Sequence, residues 1–260
     1  MKLLLKNKSG SRQHYYHFLL GNLFPLINWC NDHPSTPVTI KSCAVCNKHF
    51  DNLGLPVTVV DKLQGWDQCI DGYDMHYEGK GQNFSMGFGS QLPHIISASK
   101  WLLKKAQCKQ TNNKILMINR TEPLAFYKSD ESENKTSGIE RRSIPNFIEL
   151  YDKVCEMCPN VVKLIYPEEH TLFEQIEFFN NADIVIAQHG AALVNMVFCK
   201  PDRAIIEISS SFNTAQRMNV RVLAENLGHH HIPVDQDEEH SPVDVNKIVS
   251  AVKDALVSIA

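Results

Sequence analysis

The sequence predicts an α/β fold built on a parallel sheet covered on both faces. Three observations predict it. Continuous apolar runs at Lys114–Asn119 (KILMIN), Val161–Tyr166 (VVKLIY), Asp183–Ala187 (DIVIA) and Ala204–Ile208 (AIIEI) alternate with stretches of helical period. Strands that are apolar without alternation are buried on both sides, as parallel strands between two helix layers are. At 260 residues and 43% hydrophobic, the chain buries a sizeable core, either as one large domain or as two small lobes.

The rhythm is clear only in the second half. There Ser129–Ser137 reads as a solvated loop, Ser143–Met157 and Thr171–Asn181 as helices, and Ala191–Phe198 as the opening of another helix. Asn213–Leu227 follows as a helix, His230–Asp235 as a short strand, and Val243–Ile259 as an amphipathic closing helix. In the first half Tyr15–Cys30 is apolar and helix-like, with Pro25 marking a kink or break. Pro37–Lys41 and Pro56–Asp61 are β-rich, Gly65–Gly89 reads as loop, and Leu92–Cys108 as a helix. The polar stretch Gln107–Asn113 is the expected joint. The expected division is an amino-terminal lobe over 1–110, a carboxyl-terminal lobe over 111–240 and a closing helix over 241–260 that packs back on the first lobe.

A formal net charge of −3, with no long basic block, argues against a nucleic-acid binder. No stretch reaches the roughly 18–20 apolar residues that span a bilayer, and the run Leu3–Leu5 falls short of a signal-peptide core of about 7–15 residues. A soluble chain without a membrane span is expected. Eight cysteines include Cys43-x-x-Cys46 followed by His49, and Cys155-x-x-Cys158 more than 100 residues on. Zinc sites set their pairs closer, so buried or free thiols in a reducing compartment read better than structural zinc.

Open α/β sheets bind ligands at the carboxyl ends of their strands. Arg120 directly follows the strand at 114–119. His189, Gly190, Ala191 and Ala192 follow the strand at 183–187 and open a helix, and Glu207 lies near the end of the strand at 204–208. A helix start preceded by small residues offers free N–H groups and a positive dipole end, which suit a pyrophosphate. Arg120 and Arg142 could fork onto phosphate oxygens, and Glu207 could hold ribose hydroxyls. The plainer alternatives are close packing for the Gly-Ala-Ala turn and surface ion pairing for the arginines. His189 stands between a hydrogen bond to a donor phosphate or sugar hydroxyl and a simple helix cap.

These residues resemble the pattern of glycosyltransferase family 61. Asn119-Arg120 is similar to its Ser/Asn-Arg after the first strand of the donor lobe. Arg142-x-Ile144-x-Asn146-x-x-Glu149-Leu150 is similar to its R-x-I-x-N-x-x-E-L block, and Phe173-x-Gln175 loosely to its F-x-x-Q region. The run Asp183 to Phe198, with His189-Gly190-Ala191-Ala192-Leu193 and Asn195, is close to its D-x-x-I-G-x-H-G-A-G-L-x-N/H-x-x-F signature. Pro201, Glu207, Leu223-Ala224 and Gly228 continue in order, so that the resemblance spans about residues 114–232. Ala187 and Ala192 replace common glycines, a mild departure. His17 to Leu26 resembles the family's H-x-x-x-D-x-L-x-P-L helix, with Gly21 in place of the acidic residue.

The resemblance implies a GT-B-like architecture, two Rossmann-like lobes with parallel sheets facing a cleft. It implies an inverting, metal-independent hexosyl- or pentosyltransferase moving a sugar from a UDP-sugar to a glycan or glycoprotein hydroxyl. UDP-xylose and UDP-N-acetylglucosamine are the leading donors, the former slightly preferred. No cofactor beyond that co-substrate, no metal and no nucleic-acid partner are expected. Asn119, Arg120, Arg142, His189, Gly190, Ala191, Ala192, Asn195 and Glu207 carry over to the donor site, with Arg120 and Arg142 stabilising the departing pyrophosphate. Asp235-Gln-Asp237 has the form of a metal-binding pair but reads as a solvated turn.

With Gly21 where the family has a carboxylate, the base falls to another group. His17 suits it by its pKa range, or it merely packs at the lobe interface. His14, Asp61, Asp67, Asp71 and Asp74 are further candidates. A non-catalytic nucleotide-sugar or glycan binder that lost its base is the second reading. A nucleotide-dependent oxidoreductase or epimerase is the third, without the G-x-G-x-x-G it requires. A cytoplasmic or virus- or bacterium-encoded enzyme fits the cysteine content better than one of the secretory lumen.

Overall fold

The computed structural model describes residues 1–6, 10–73, 76–78, 85–133, 136–210 and 218–259. The chain forms two compact units, Met1–Lys105 with Ser129–Lys135, and Ala106–Lys128 with Thr136–Ala260. The stretch read as a solvated loop thus belongs to the first unit. Gln13 holds it, donating from Nε2 to the Glu131 carbonyl at 3.2 Å and accepting from the Glu133 N–H at 2.9 Å.

The first unit opens with β1 (Leu3–Lys6), α1 (Tyr15–Phe18) and α2 (Phe24–Asp32). It continues with β2 (Val38–Lys41), β3 (Val57–Val60), β4 (Gln68–Asp71), the antiparallel pair β5 (His76–Glu78) and β6 (Ser85–Gly87), and α3 (Leu92–Ala106). β1 pairs in parallel with β4 and β2 with β3, and a parallel bridge from Lys2 to Thr39 joins the two pairs. Leu3, Leu5, Val38 and Ile40 bury one face of these strands against Leu26, Trp29 and Cys30 of α2. Four strands escaped the sequence pattern: β1, and β4, β5 and β6 within the stretch read as loop. Each is only three or four residues long, too short to show a period, and partner strands hold them in place.

No break occurs at Pro25. A π-helical turn, Leu19–Leu23, leads from α1 into α2, and Pro25 follows it in the first residues of α2. The Cys43-x-x-Cys46 pair and His49 flank and occupy a 3₁₀ helix, Ala44–Phe50, and all three are buried with both thiols free. Cys46 points its thiol at the Gln13 carbonyl, and burial pushes the Cys43 thiol up to about 12. Among the described residues no three His, Cys, Asp or Glu side chains gather in metal-binding geometry.

The second unit carries β7 (Ile115–Ile118), α4 (Gly138–Arg141), α5 (Phe147–Met157), β8 (Val162–Ile165), α6 (Leu172–Asn181) and β9 (Ile184–Gln188). A 3₁₀ helix, Ala191–Phe198, precedes β10 (Ala204–Ser209), α7 (Met218–Asn226), β11 (His230–Asp235) and α8 (Val245–Ser258). Residues 213–217 of the expected helix, and the base candidate Asp74, lie outside the described residues. The five strands form one parallel sheet in the order β11-β10-β9-β7-β8.

Met117, Ile186, Ile206 and Ile208 cover one sheet face and pack on Leu150 and Val154 of α5 and on Ile248, Val252 and Ala255 of α8. The closing helix packs its apolar stripe on the core of the second unit. α6 begins on a capping box in which Thr171 and Glu174 exchange hydrogen bonds. Among the described residues no helix is long and apolar enough to cross a membrane.

Candidate functional site

The strand order places a topological switch point between β7 and β9, since the chain leaves β7 toward β8 and returns on the other side. Ligand crevices form outside the carboxyl ends of strands at such points. The two segments that leave these strands are Asn119-Arg120 and His189-Gly190.

Asn119 directly follows β7, and its Oδ1 accepts the Arg120 N–H at 2.9 Å, which fixes the turn out of the sheet. The loop is braced from behind by Gly138. Its φ of +54° and its contact with the Thr121 carbonyl, where a β-carbon would stand 2.3 Å away, leave no room for a side chain. Arg120 reaches across to the next strand and donates from Nη2 to the His189 carbonyl at 2.6 Å. Its guanidinium thereby lies against Gly190, the residue before the 3₁₀ helix Ala191–Phe198. The first N–H groups of a helix lack internal acceptors and carry partial positive charge. Guanidinium and helix start thus present positive charge together, an arrangement that favours an anion between them. Gly190, Ala191 and Ala192 are all partly exposed there.

Behind this turn lies a chain of buried polar side chains. Glu207 on β10 has no exposed area. Its Oε1 accepts from Nδ1 of His189, and its Oε2 accepts from Nε2 of His231 on β11 at 2.6 Å. Burial works to raise the Glu207 pKa, but the hydrogen bonds and charges of the two histidines outweigh it and hold the carboxyl below its ordinary value. Both oxygens of Glu207 are thus engaged within the fold, and His189 links it to the turn.

At Arg142 burial lowers the pKa, partly offset by the charge of Glu207. Its Nε pairs with Oε1 of Glu239 at 3.2 Å. The family-like block around it has a structural reading. Asn146 exchanges hydrogen bonds with the backbone of Val243, both at 2.9 Å, Glu149 accepts from Asn146, and Ile144 and Leu150 fill the core. Gln188, at the end of β9, donates to Gln236 Oε1 at 2.7 Å, and Gln236 donates to the Ser143 carbonyl at 3.0 Å. The acidic segment after β11 is thus sewn onto the loop that carries Arg142. Asp235 and Asp237 are exposed, while Gln236 between them is buried.

The structure links Asn119, Arg120, His189, Gly190, Ala191, Ala192 and Glu207, while Arg142 is held by Glu239. Asn195 lies within the 3₁₀ helix that follows. It is fully buried and donates to Gln175 of α6 at 2.9 Å, tying the 3₁₀ helix to that helix. His231, Gln188, Gln236 and Glu239 escaped sequence reasoning. The period of two along β11 was the one available signal for His231, since it decides which of His230 and His231 faces Glu207.

In the first unit, the ring of His17 lies 5.7 Å from that of His14 and rests on Gly10, where a β-carbon would meet it at 2.3 Å. Gly21, in the π-helical turn, is buried beneath the backbone of Gly72. Asp67 accepts the Lys2 N–H at 2.8 Å, which makes it a brace for β1, and Asp61 and Asp71 are exposed.

None of the curated proteins compared with the chain matches it. The family model for glycosyltransferase 61 matches residues 15–206, from the first helix into β10, which is well over half of the sequence. The match takes in His17 and Gly21 as well as the Arg120, Arg142 and His189 segments, and the chain belongs to glycosyltransferase family 61.

Proposed function

We propose that the chain is an inverting GT-B glycosyltransferase whose second unit holds a UDP-sugar, with xylose or N-acetylglucosamine as the sugar and a glycan or glycoprotein hydroxyl as acceptor. The observation that carries this reading is the Arg120 guanidinium seated on Gly190 at the start of the 3₁₀ helix. A guanidinium beside a helix start suits an anion, and family membership makes the pyrophosphate of a nucleotide sugar the fitting one.

In the reaction a base removes the acceptor hydroxyl proton and the oxygen attacks the anomeric carbon. The bond from that carbon to the β-phosphate oxygen breaks, and UDP departs with the electron pair. Arg120 and the amides of Ala191 and Ala192 are preorganised to take up the charge on UDP, with no metal in the scheme. Arg142, held by Glu239, supports them from the neighbouring loop. His17 is the proposed base, in the position left by the missing carboxylate at Gly21.

Calorimetric titration with UDP tests the donor site, with and without EDTA and on Arg120→Ala and Arg142→Ala. The expected result is binding that ignores EDTA and weakens in both variants. No binding of UDP, GDP or CMP would remove the donor-site assignment. A second reading, a binder without transfer, is favoured by Gly21 alone; hydrolysis or transfer of a UDP-sugar by the purified protein excludes it.

A further inference from the structure

We propose that His231 is a positioning residue that sets the donor-binding turn from the edge of the sheet, through Glu207 and His189, and that it holds Arg120 in place. The inference rests on the donor-site reading above.

The register shows how. His231 on β11 stands opposite Ile205 on β10, and Glu207 is two residues further along that strand on the same face. Glu207 in turn stands opposite Ala187 on β9, and His189 is two residues further on. The three side chains form a diagonal over three neighbouring strands, each one step nearer the carboxyl edge. Ala187 leaves the space beside Glu207 that a larger residue would fill, so the His189 ring can fold back onto the carboxylate.

Each link has one geometry. His231 donates through Nε2 to Oε2 of Glu207 at 2.6 Å, and its side chain is 6% exposed. That bond fixes the plane of a carboxyl group whose terminal torsion is otherwise broad and nearly two-fold. The fixed plane turns Oε1 to His189, whose Nδ1 must carry the proton to donate. The His189 main chain is then held from two sides. Its ring is bound by Glu207, its N–H donates to the Ile208 carbonyl at 2.7 Å, and its own carbonyl receives Nη2 of Arg120. A four-residue line, His231–Glu207–His189–Arg120, thus runs from the edge strand to the guanidinium on Gly190. A buried carboxylate with two donors is also the most expensive arrangement to leave half-satisfied, so loss of His231 is felt along the whole line.

The test uses the full chain labelled with 15N. In the ligand-free wild type, the Nδ1–H of His189 is expected as a far-downfield, slowly exchanging imidazole proton, assigned by its loss in His189→Gln. His231→Phe keeps the volume and removes the donor; it is expected to broaden or abolish that signal and to weaken UDP binding about tenfold, the scale of one charged hydrogen bond. His231→Gln, whose amide can reach Oε2, is expected to restore both. Should the Phe variant not fold, His231→Asn, too short to reach, replaces it. An unchanged His189 proton in the Phe or Asn variant overturns the inference, as does a lost proton with unchanged UDP affinity. Failure of the wild type to bind UDP removes the donor-site reading, while the His189 proton still decides whether His231 sets the ring.

Discussion

Arg120 and Gly190 are packed so closely that a β-carbon on Gly190 would stand 2.1 Å from Nη2 of the guanidinium. The backbone at Gly190 is extended, a conformation open to any residue, so the glycine is required by its neighbour and not by its dihedral angles. Gly190→Ala should therefore fold, because the far end of a flexible arginine can move aside. It should also displace the guanidinium from the helix start. The expected outcome is a loss of UDP affinity of roughly tenfold to a hundredfold, the range of a charge-assisted hydrogen bond, with a thermal transition close to that of the wild type. Calorimetry and a melting curve on the same sample check it. Full affinity in the variant would mean that Arg120 does not touch the donor.

Asn195 gives the opposite pattern. Its Nδ2 is bound to Oε1 of Gln175, whose Nε2 donates to the carbonyls of Pro167 and His170 at 2.9 and 3.2 Å. Asn195→Ala leaves a buried acceptor without its donor, at a cost of about 1–3 kcal/mol. Denaturant unfolding should show that loss, while UDP affinity stays as it was. A fall in affinity without a fall in stability would return Asn195 to the donor site.

How much of this was legible in the sequence depended on the length over which a pattern repeats. The five strands of the second unit have buried, nearly unbroken apolar runs or stand between clear helices, so the sheet and the ends that bear Arg120 and His189 were readable. β1, β4, β5 and β6 were not, because strands of three or four residues carry no period. Asn195 shows a different limit. Its position in the signature marks it as needed, but sequence alone does not separate a residue needed for the ligand from one needed for the floor beneath it. Glu207 shows the same limit. A carboxylate at a strand end suggests ribose, and only the two histidines that enclose it, from strands 18 and 24 residues away, reveal its place behind the site.

His49 predicts an acid limit for the first unit. It is buried against Tyr15 and Phe18, with ring centroids at 5.2 and 5.6 Å, and burial, aided by the nearby Lys48, lowers its pKa to about 4. The unfolded chain binds a proton at this residue near pH 6.5, whereas the folded chain does not until about pH 4. Stability from a neutral His49 is thus fully present above pH 6.5 and is lost as the pH falls toward 4. Denaturant unfolding between pH 7 and 4 should show that decline, and His49→Phe, which cannot titrate, should flatten it. An unaltered pH slope in the variant would assign the acid sensitivity elsewhere.

His17 is the sharpest test of catalysis, because Gly10 supplies a second way to disturb it. A β-carbon on Gly10 would meet the imidazole at 2.3 Å, and a rigid ring at that distance has to move as a whole. If His17 is the base, His17→Ala should lower kcat by about a hundredfold to ten-thousandfold, the usual worth of a positioned base, with UDP affinity unchanged. Gly10→Ala should lower kcat by less, since the imidazole is displaced and not removed. The pH profile carries independent information. A base that acts when neutral gives a rate that rises with pH through the pKa of that group, and this limb should vanish in His17→Ala. An unchanged kcat in His17→Ala would pass the role to His14 or to an aspartate of the same unit. Gly21→Asp, which puts back the family's carboxylate, then asks whether the older solution still works in this fold. Its expected cost is stability, because Gly21 is buried beneath Gly72 and the new carboxylate would be buried with it.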